Sequence, residues 1–356
     1  MIDSNGTTTY TYNERGWLIS VDGLWENDTI TYEYDNVGNR TKMTTPQGVF
    51  TYTYYKNNLL KSITNPQGKT TTFVYDTAGR VIKKEYANGT KTEFAYYKND
   101  KIKDIIVKTS TDEILSSYHY EYNTLGQIVK IIDKDGNKYT YTYDDAGRLT
   151  YEEEKASDNT TIYFRAYTYD SVGNRISEVR DGVNISYTYN EFNQLLSRST
   201  PTGNIFYTYD NNGNLIEKNI GGNKTTYTYD FNNKLTKITL PDGRTEIYTY
   251  SGDGKRILAN INGSVVKYIY DGLIPVIEMG TDYYKIYTKI PSMPGGIGGL
   301  ISSYDGTNTF YYYDSHLGNV NMITDESVNI VKKYNYDAFG NVVNEMGTLE
   351  QRYLYK

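Results

Sequence analysis

The stretch Tyr334 to Val343, YNYDAFGNVV, decides the fold. Two tyrosines two residues apart precede an Asp, two variable residues, a Gly, a polar residue and an apolar pair. The same order recurs in YEYDNVGNR (Tyr32 to Arg40), YTYDDAGRL (Tyr141 to Leu149), YTYDSVGNRI (Tyr167 to Ile176) and YTYDNNGNLI (Tyr207 to Ile216). A unit repeated at this length builds an array in which each copy covers a surface of the next.

Working outward, the second tyrosine of each unit gives Tyr12, Tyr34, Tyr54, Tyr75, Tyr96, Tyr122, Tyr143, Tyr169, Tyr189, Tyr209, Tyr229, Tyr250 and Tyr270, with further copies at Tyr313 and Tyr336. Up to Tyr270 the spacing is 20 to 22 residues, except for two spacings of 26. Tyr287 is the candidate for a degenerate copy in the wider gap before Tyr313. These tyrosines are read as the structural residues of the repeat.

Each unit reads as two strands and two turns. In KYTYTYDDAGRLTYEEE (Lys138 to Glu154), Tyr139, Tyr141 and Tyr143 alternate with Thr140 and Thr142, the period of a strand. Asp144 to Gly147 then suits a type I turn, in which Asp bonds backbone amides two residues on and Gly takes the left-handed position of a bulge. By the same reading Gly38, Gly79, Gly126, Gly147, Gly173, Gly213, Gly318 and Gly340 are turn glycines. A second kind of turn sits at the other end of each strand pair: PQG at Pro46 and Pro66, DKDGN at Asp133, PTG at Pro201, IGGN at Ile220 and PDG at Pro241. Helical periodicity with caps is hard to find, so almost no helix is predicted.

The expectation is an all-β antiparallel hairpin array of about 32 strands. At about 4.8 Å per strand that is a ribbon on the order of 150 Å long. Twist accumulates along such a ribbon. Rolled into one turn it would be on the order of 50 Å across, too wide for side chains to fill. A curved or spiral β-shell around a space is therefore favoured over a sheet stacked on itself. The two 26-residue spacings predict longer loops at Thr109 to Ser117 and Ser157 to Ala166. The Pro- and Gly-rich run IPSMPGGIGGLISS (Ile290 to Ser303) breaks the rhythm. The expected division is a repeat array over residues 1–281 and a terminal segment over 282–356.

Composition agrees. The chain of 356 residues holds 42 Tyr against 9 Phe and 2 Trp, and its apolar fraction is 38%. A thick aliphatic core is not expected; a sheet covered by rings that keep their hydroxyls wet is. The chain has no Cys, which excludes disulfides, thiolate metal sites and a thiol nucleophile. The net charge of −6 is spread along the chain and disfavours nucleic acid and anionic lipid as partners. No apolar run is long enough to span a membrane as a helix, and MIDSNGTTTY does not read as a signal peptide.

The residues at that point resemble a known family. The unit Y-x-Y-D-x-x-G-N/R is similar to the YD repeat of Rhs proteins, found also in Tc toxin BC components and teneurins. Pro294 to Val343 resembles the start of the Rhs repeat-associated core, through Gly295 to Gly299, Tyr313 to Val320, Thr324-Asp325 and Tyr336 to Gly340. The resemblance implies a hollow β-cage that holds a cytotoxic C-terminal polypeptide until delivery. In the family an acidic self-cleavage site follows; the residues up to Gln351–Lys356 contain no counterpart of it, so no autoproteolysis is expected of this stretch.

Chemical readings of the motifs are weak beside structural ones. The Asp and Asn of each repeat, about twenty residues apart, are turn formers rather than metal ligands. Asp133-Lys-Asp135-Gly136-Asn137 has its Gly too early for a calcium loop. The run Gly295 to Gly299 opens no helix and is followed by no Lys-Ser/Thr, so it is no phosphate cradle. His119 and His316 read as strand or turn residues. Glu152 to Glu154 and Asp325-Glu326 read as turn or exposed strand positions rather than a glycosidase pair. Several Asn-x-Ser/Thr matches, such as Asn159 to Thr161, carry little weight in so Asn-rich a chain.

No catalytic, cofactor or metal residue is therefore proposed, and the chain is read as not an enzyme. The function expected is a structural shell segment carrying an enclosed toxin or effector polypeptide. The alternative is a secreted or cell-surface adhesion module whose Tyr-x-Tyr rows stack on glycans; cross-strand ladder packing is the plainer reading of those rows. Either would be exported by a non-classical or specialised route.

Overall fold

A computed structural model describes residues 1–3, 5–291, 299–316 and 318–349. Among them there is no helix, and 32 strands form one long antiparallel sheet that is not closed. Ile2–Asp3 and Gly6–Thr7 form a separate two-stranded sheet. Strands pair with their neighbours in sequence, as a meander requires, and the strand count is the one expected from the repeat.

The hairpin quoted above shows why. Lys138–Tyr143 pairs with Leu149–Lys155, Thr142 opposite Tyr151, and the register then shifts so that Tyr143 faces Leu149. That one-residue bulge comes from the turn: the Asp144 amide donates to the Arg148 carbonyl at 3.0 Å and the Gly147 amide to the Asp144 carbonyl at 2.9 Å. Gly147 has φ +79°, a conformation that costs an L side chain energy and glycine little. The other turn kind is often two residues long, as where Ile220 faces Asn223 across Gly221 and Gly222.

The 26-residue spacings did not become longer loops. The Thr109 amide still donates to Glu113 and the Ala156 amide to Thr160, so both turns keep the common length. The extra residues lengthen the strands instead: Ile114–Tyr122 and Thr161–Tyr169 have 9 residues each. Extra residues that keep the alternation extend the ladder, which satisfies their backbone groups at once.

The chain divides into two compact units. The first comprises Met1–Tyr118, Tyr250–Ile257 and Lys267–Lys356; the second comprises His119–Thr249 and Leu258–Val266. Ile274–Met279 and Tyr284–Lys289, on either side of residue 281, pair directly within the first unit. There the early and late strands pack on each other. Ile30, Phe50, Ile63 and Phe73 share one core with Ile277, Ile286, Tyr311 and Met322. One core thus joins early and late strands of the curved sheet within this unit. Tyr287, Leu300, Tyr312, Ile323 and Tyr334 form a second, smaller cluster.

In the second unit burial thins out along the sequence. Glu152, Tyr163 and Tyr167 are buried, yet no residue from Leu195 to Leu240 is. The sheet there is held by its backbone ladder and by tyrosine hydroxyl bonds such as those of Tyr209 and Tyr229, rather than by a buried core.

Candidate functional site: the tyrosine ladder and the rim of turns

The repeated aspartates act locally. Asp35 Oδ1 accepts the amides of Val37 at 3.0 Å and Asn39 at 2.9 Å, while Oδ2 takes the Asn39 side-chain amide at 2.8 Å. Asp170, Asp210 and Asp337 repeat the pattern with Asn174, Asn214 and Asn341. These bonds, that from the Asn39 side chain foremost, hold the Asp35 carboxyl below the usual carboxylate range. The eight glycines singled out in the sequence all have φ between +79° and +98°. Where the repeat lacks Gly, Asn58, Asp100, Asn193 and Asn233 take the same conformation at φ +60° to +65°. Val328 takes it too, at φ +68°, although a β-branched side chain is the least suited to it.

The marker tyrosines form a second ladder. The hydroxyls of Tyr34, Tyr54, Tyr96, Tyr143, Tyr169, Tyr189, Tyr209, Tyr229, Tyr270 and Tyr336 each donate to a backbone carbonyl at 2.6–3.0 Å. The acceptor is always the first residue of the preceding hairpin's return strand. Tyr54 bonds the Arg40 carbonyl, and Arg40 is the residue that pairs with Tyr34. Each ring thus closes the bulge that the previous repeat opened.

The other markers differ. Tyr12 is exposed, and Tyr75 packs edge-on against Tyr55 with its hydroxyl buried and unbonded. Tyr122 and Tyr250 end the strands Ile114–Tyr122 and Thr245–Tyr250. Tyr313 is one residue out of register. Its turn runs from Ser315 to Asn319, so Asp314 takes the marker position, opposite Val320. Tyr313 instead reaches Thr90 at 2.6 Å and Thr324 at 3.0 Å. Counting back from Gly318 rather than forward from the tyrosines finds this slip.

Charged side chains interleave with the rings, which spacing alone did not show. Arg40 lies over the rings of Tyr32 and Tyr52, 5.4 and 4.9 Å from their centres, and bonds Asp271 at 2.7 Å. Arg175 lies likewise over Tyr167 and Tyr187. The sequence reading placed Glu152 to Glu154 in turns or exposed positions; in the structure Glu152 is 0% and Glu154 3% exposed. They lie opposite Tyr141, Tyr139 and Tyr163 of the neighbouring strands, and the Tyr167 hydroxyl donates to Glu152. Glu178, also buried, accepts from the Tyr187 hydroxyl at 2.6 Å and from Arg180 at 2.7 Å. Burial alone would raise its pKa, but these donors outweigh it and pull the carboxyl below its usual range. Carboxylates so enclosed are satisfied members of the ladder.

His119 lies in the strand Ile114–Tyr122 and His316 in the turn after Thr309–Asp314, where burial lowers its pKa to about 4. Among the described residues no three His, Cys, Asp or Glu are placed to hold a metal ion, and no helix is long and apolar enough to cross a membrane. A cleft of about 60 Å³ in the first unit is lined by Tyr10, Trp25, Asp28, Asp253, Lys255 and Tyr268, among others. Residues 292–298, which are half of the Ile290–Ser303 run and include Gly295, Gly296 and Gly298, and Gln351–Lys356 lie outside the described residues.

A meander in which ten hairpins lock their predecessors through a tyrosine defines a YD-repeat wall. Residues 2–165 and 158–351 both match the Teneurin YD-shell family, and the chain belongs to it. The chain is 30% identical over 220 residues to the tRNA3(Ser)-specific nuclease WapA of Bacillus spizizenii and to the tRNA nuclease WapA of Bacillus subtilis. The matches cover 51% of this chain and 9% of each relative, so the chain spans about a tenth of their length. The crystal structures of TcdB2-TccC3-Cdc42 and TcdB2-TccC3 are similar in fold over 97% of this chain, at 16% identity and TM-scores of 0.56 and 0.55, and over 23% and 24% of their own chains.

Proposed function

We propose that the chain is a non-enzymatic length of wall in an Rhs-type polymorphic toxin system, where it encloses or carries a C-terminal toxin polypeptide. The observation that supports this most is the long run of backbone-paired hairpins, ten of them latched to the one before by a tyrosine hydroxyl. Such a wall works by steric exclusion, and its polar groups, the glutamates included, serve its own cohesion. The reading carries export with it, as a secreted or cell-surface component. The marker tyrosines spend their hydroxyls on backbone carbonyls, which favours the wall over a glycan-stacking surface.

The test uses the full-length protein. Limited trypsin digestion under native conditions should leave the polypeptide following the repeats intact, and digestion after urea unfolding should destroy it. A following polypeptide cut as readily before unfolding as after overturns the reading.

A further inference from the structure

The second unit carries a row of apolar side chains at its turn tips that its own packing leaves uncovered. Leu125 is 77% exposed, Val172 69%, Phe192 80% and Phe231 92%. The first three occupy the third residue of the turns that begin at Asn123, Asp170 and Asn190; Phe231 is the second residue of the turn that begins at Asp230. Because the strands alternate in direction, these turns all lie along one edge of the unit's sheet. Side-chain bonds tie one turn to the next: Gln127 donates to the Gly147 carbonyl, Arg148 to the Asp170 carbonyl, Asn174 to Asn193 and Asn214 to Asn233. The tips therefore form a fixed rim rather than independent loops. Four of the six turns along this edge thus carry an exposed large apolar group, those at Asp144 and Asp210 being the exceptions, and such a row marks an interaction surface.

The charge of the rim selects the partner. Its turns hold six carboxylates, on Asp144, Asp145, Asp170, Glu191, Asp210 and Asp230, against the cations Arg148 and Lys234. A second copy would set acid against acid, and an anionic lipid surface would be repelled in the same way. The spacing selects its form. Successive turns are two strands apart, roughly 10 Å, so Val172 and Phe192 are one step apart while Leu125 to Val172 and Phe192 to Phe231 are two steps, roughly 20 Å. Residues seven apart on an α-helix are separated by about 10.5 Å along its axis.

We propose that this rim is a docking surface for a cationic amphipathic helix, whose apolar residues at spacings of fourteen, seven and fourteen meet Leu125, Val172, Phe192 and Phe231 while its Lys or Arg face the rim carboxylates. The surface is independent of any enclosed cargo.

The probe is a labelled synthetic helix with Leu at every seventh position and Lys on both flanks, titrated against the full chain by fluorescence anisotropy. The comparison is the variant Leu125→Asn, Val172→Asn, Phe192→Asn, Phe231→Asn. The chain itself uses Asn at these turn positions, as Asn211, Asn212 and Asn232. Saturable binding that weakens at least about tenfold in the variant and weakens with added salt is expected. The same peptide with Glu in place of Lys should not bind. Equal binding by the variant, or by the Glu peptide, overturns the proposal. So does self-association of the unaltered chain, or its binding to anionic vesicles, that the four substitutions abolish. Because the four side chains are mostly exposed, the variant should melt within a degree or two of the parent, which certifies its fold.

Discussion

Arg40 and Asp271, 231 residues apart in sequence, meet at 2.7 Å within the first unit, with their side chains only 13% and 16% exposed. Tyr32 adds its hydroxyl to the same carboxylate at 3.1 Å. The pair joins an early strand to a late one where the sheet faces itself, so it tests how that packing is held.

Asp271→Ala should destabilise the chain by about 3 kcal/mol, because it strands a mostly buried guanidinium between two rings. The double change Arg40→Leu, Asp271→Leu should recover much of that loss. Urea denaturation measures both. A single substitution that shifts the midpoint by less than the error would mean the pair is solvated after all.

Two markers that look alike in sequence should respond in opposite ways to loss of their hydroxyl. Tyr54→Phe removes a bond to the Arg40 carbonyl and should cost about 1 kcal/mol. Tyr75→Phe removes a buried hydroxyl without a partner and should be neutral or stabilising. Thermal melts of the two variants side by side decide it; equal losses would refute the ladder.

Val328→Gly should raise stability by about 1 kcal/mol, since it replaces a β-branched residue at φ +68° where other repeats place Gly. The gain appears as a higher melting temperature, reduced by the added freedom of glycine in the unfolded chain. A lower melting temperature would show that the Val328 side chain contributes more than its backbone costs.

His316 predicts a pH window. Its folded pKa is lowered to about 4 by burial, against 6.5 for the ordinary group, so the folded state favours the neutral ring. The unfolded chain takes up the proton first as pH falls, so stability is intact above about 6.5 and drains away down to about 4. The loss across that window should be roughly 3 kcal/mol and absent in His316→Phe. Denaturation midpoints at pH 7, 5.5 and 4.5 for both proteins check it. Parallel slopes would remove His316 as the cause.

The local parts of the fold were legible because they are local. A turn of Asp-x-x-Gly needs nothing beyond its own five residues, so the hairpins around Asp35, Asp144 and Asp170 could be read directly. Tyr313 misled because three tyrosines precede Asp314, and only Gly318 fixes which residue opens the turn. The runs ILSSYHYEY and TIYFRAYTY alternate throughout, yet their length appeared as an irregular spacing rather than as longer strands. Glu152 and Glu154 looked like a solvated edge; their burial depends on Tyr167 and its neighbours across the ladder. The Arg40–Asp271 pair was beyond sequence reading altogether, since it exists only where two distant strands face each other.

Between Leu195 and Leu240, where nothing is buried, cohesion passes only from each hairpin to the next. Matter arranged that way behaves like a chain of links: its length is not fixed by any centre. Whole repeats of 20 residues, such as that from Tyr189 to Tyr209, could be removed or duplicated with the remaining links closing on one another, whereas deletion of an odd strand would leave a Tyr hydroxyl facing the wrong carbonyl. Such a stretch grows or shrinks by counting, and evolution can set its reach without redesigning a core.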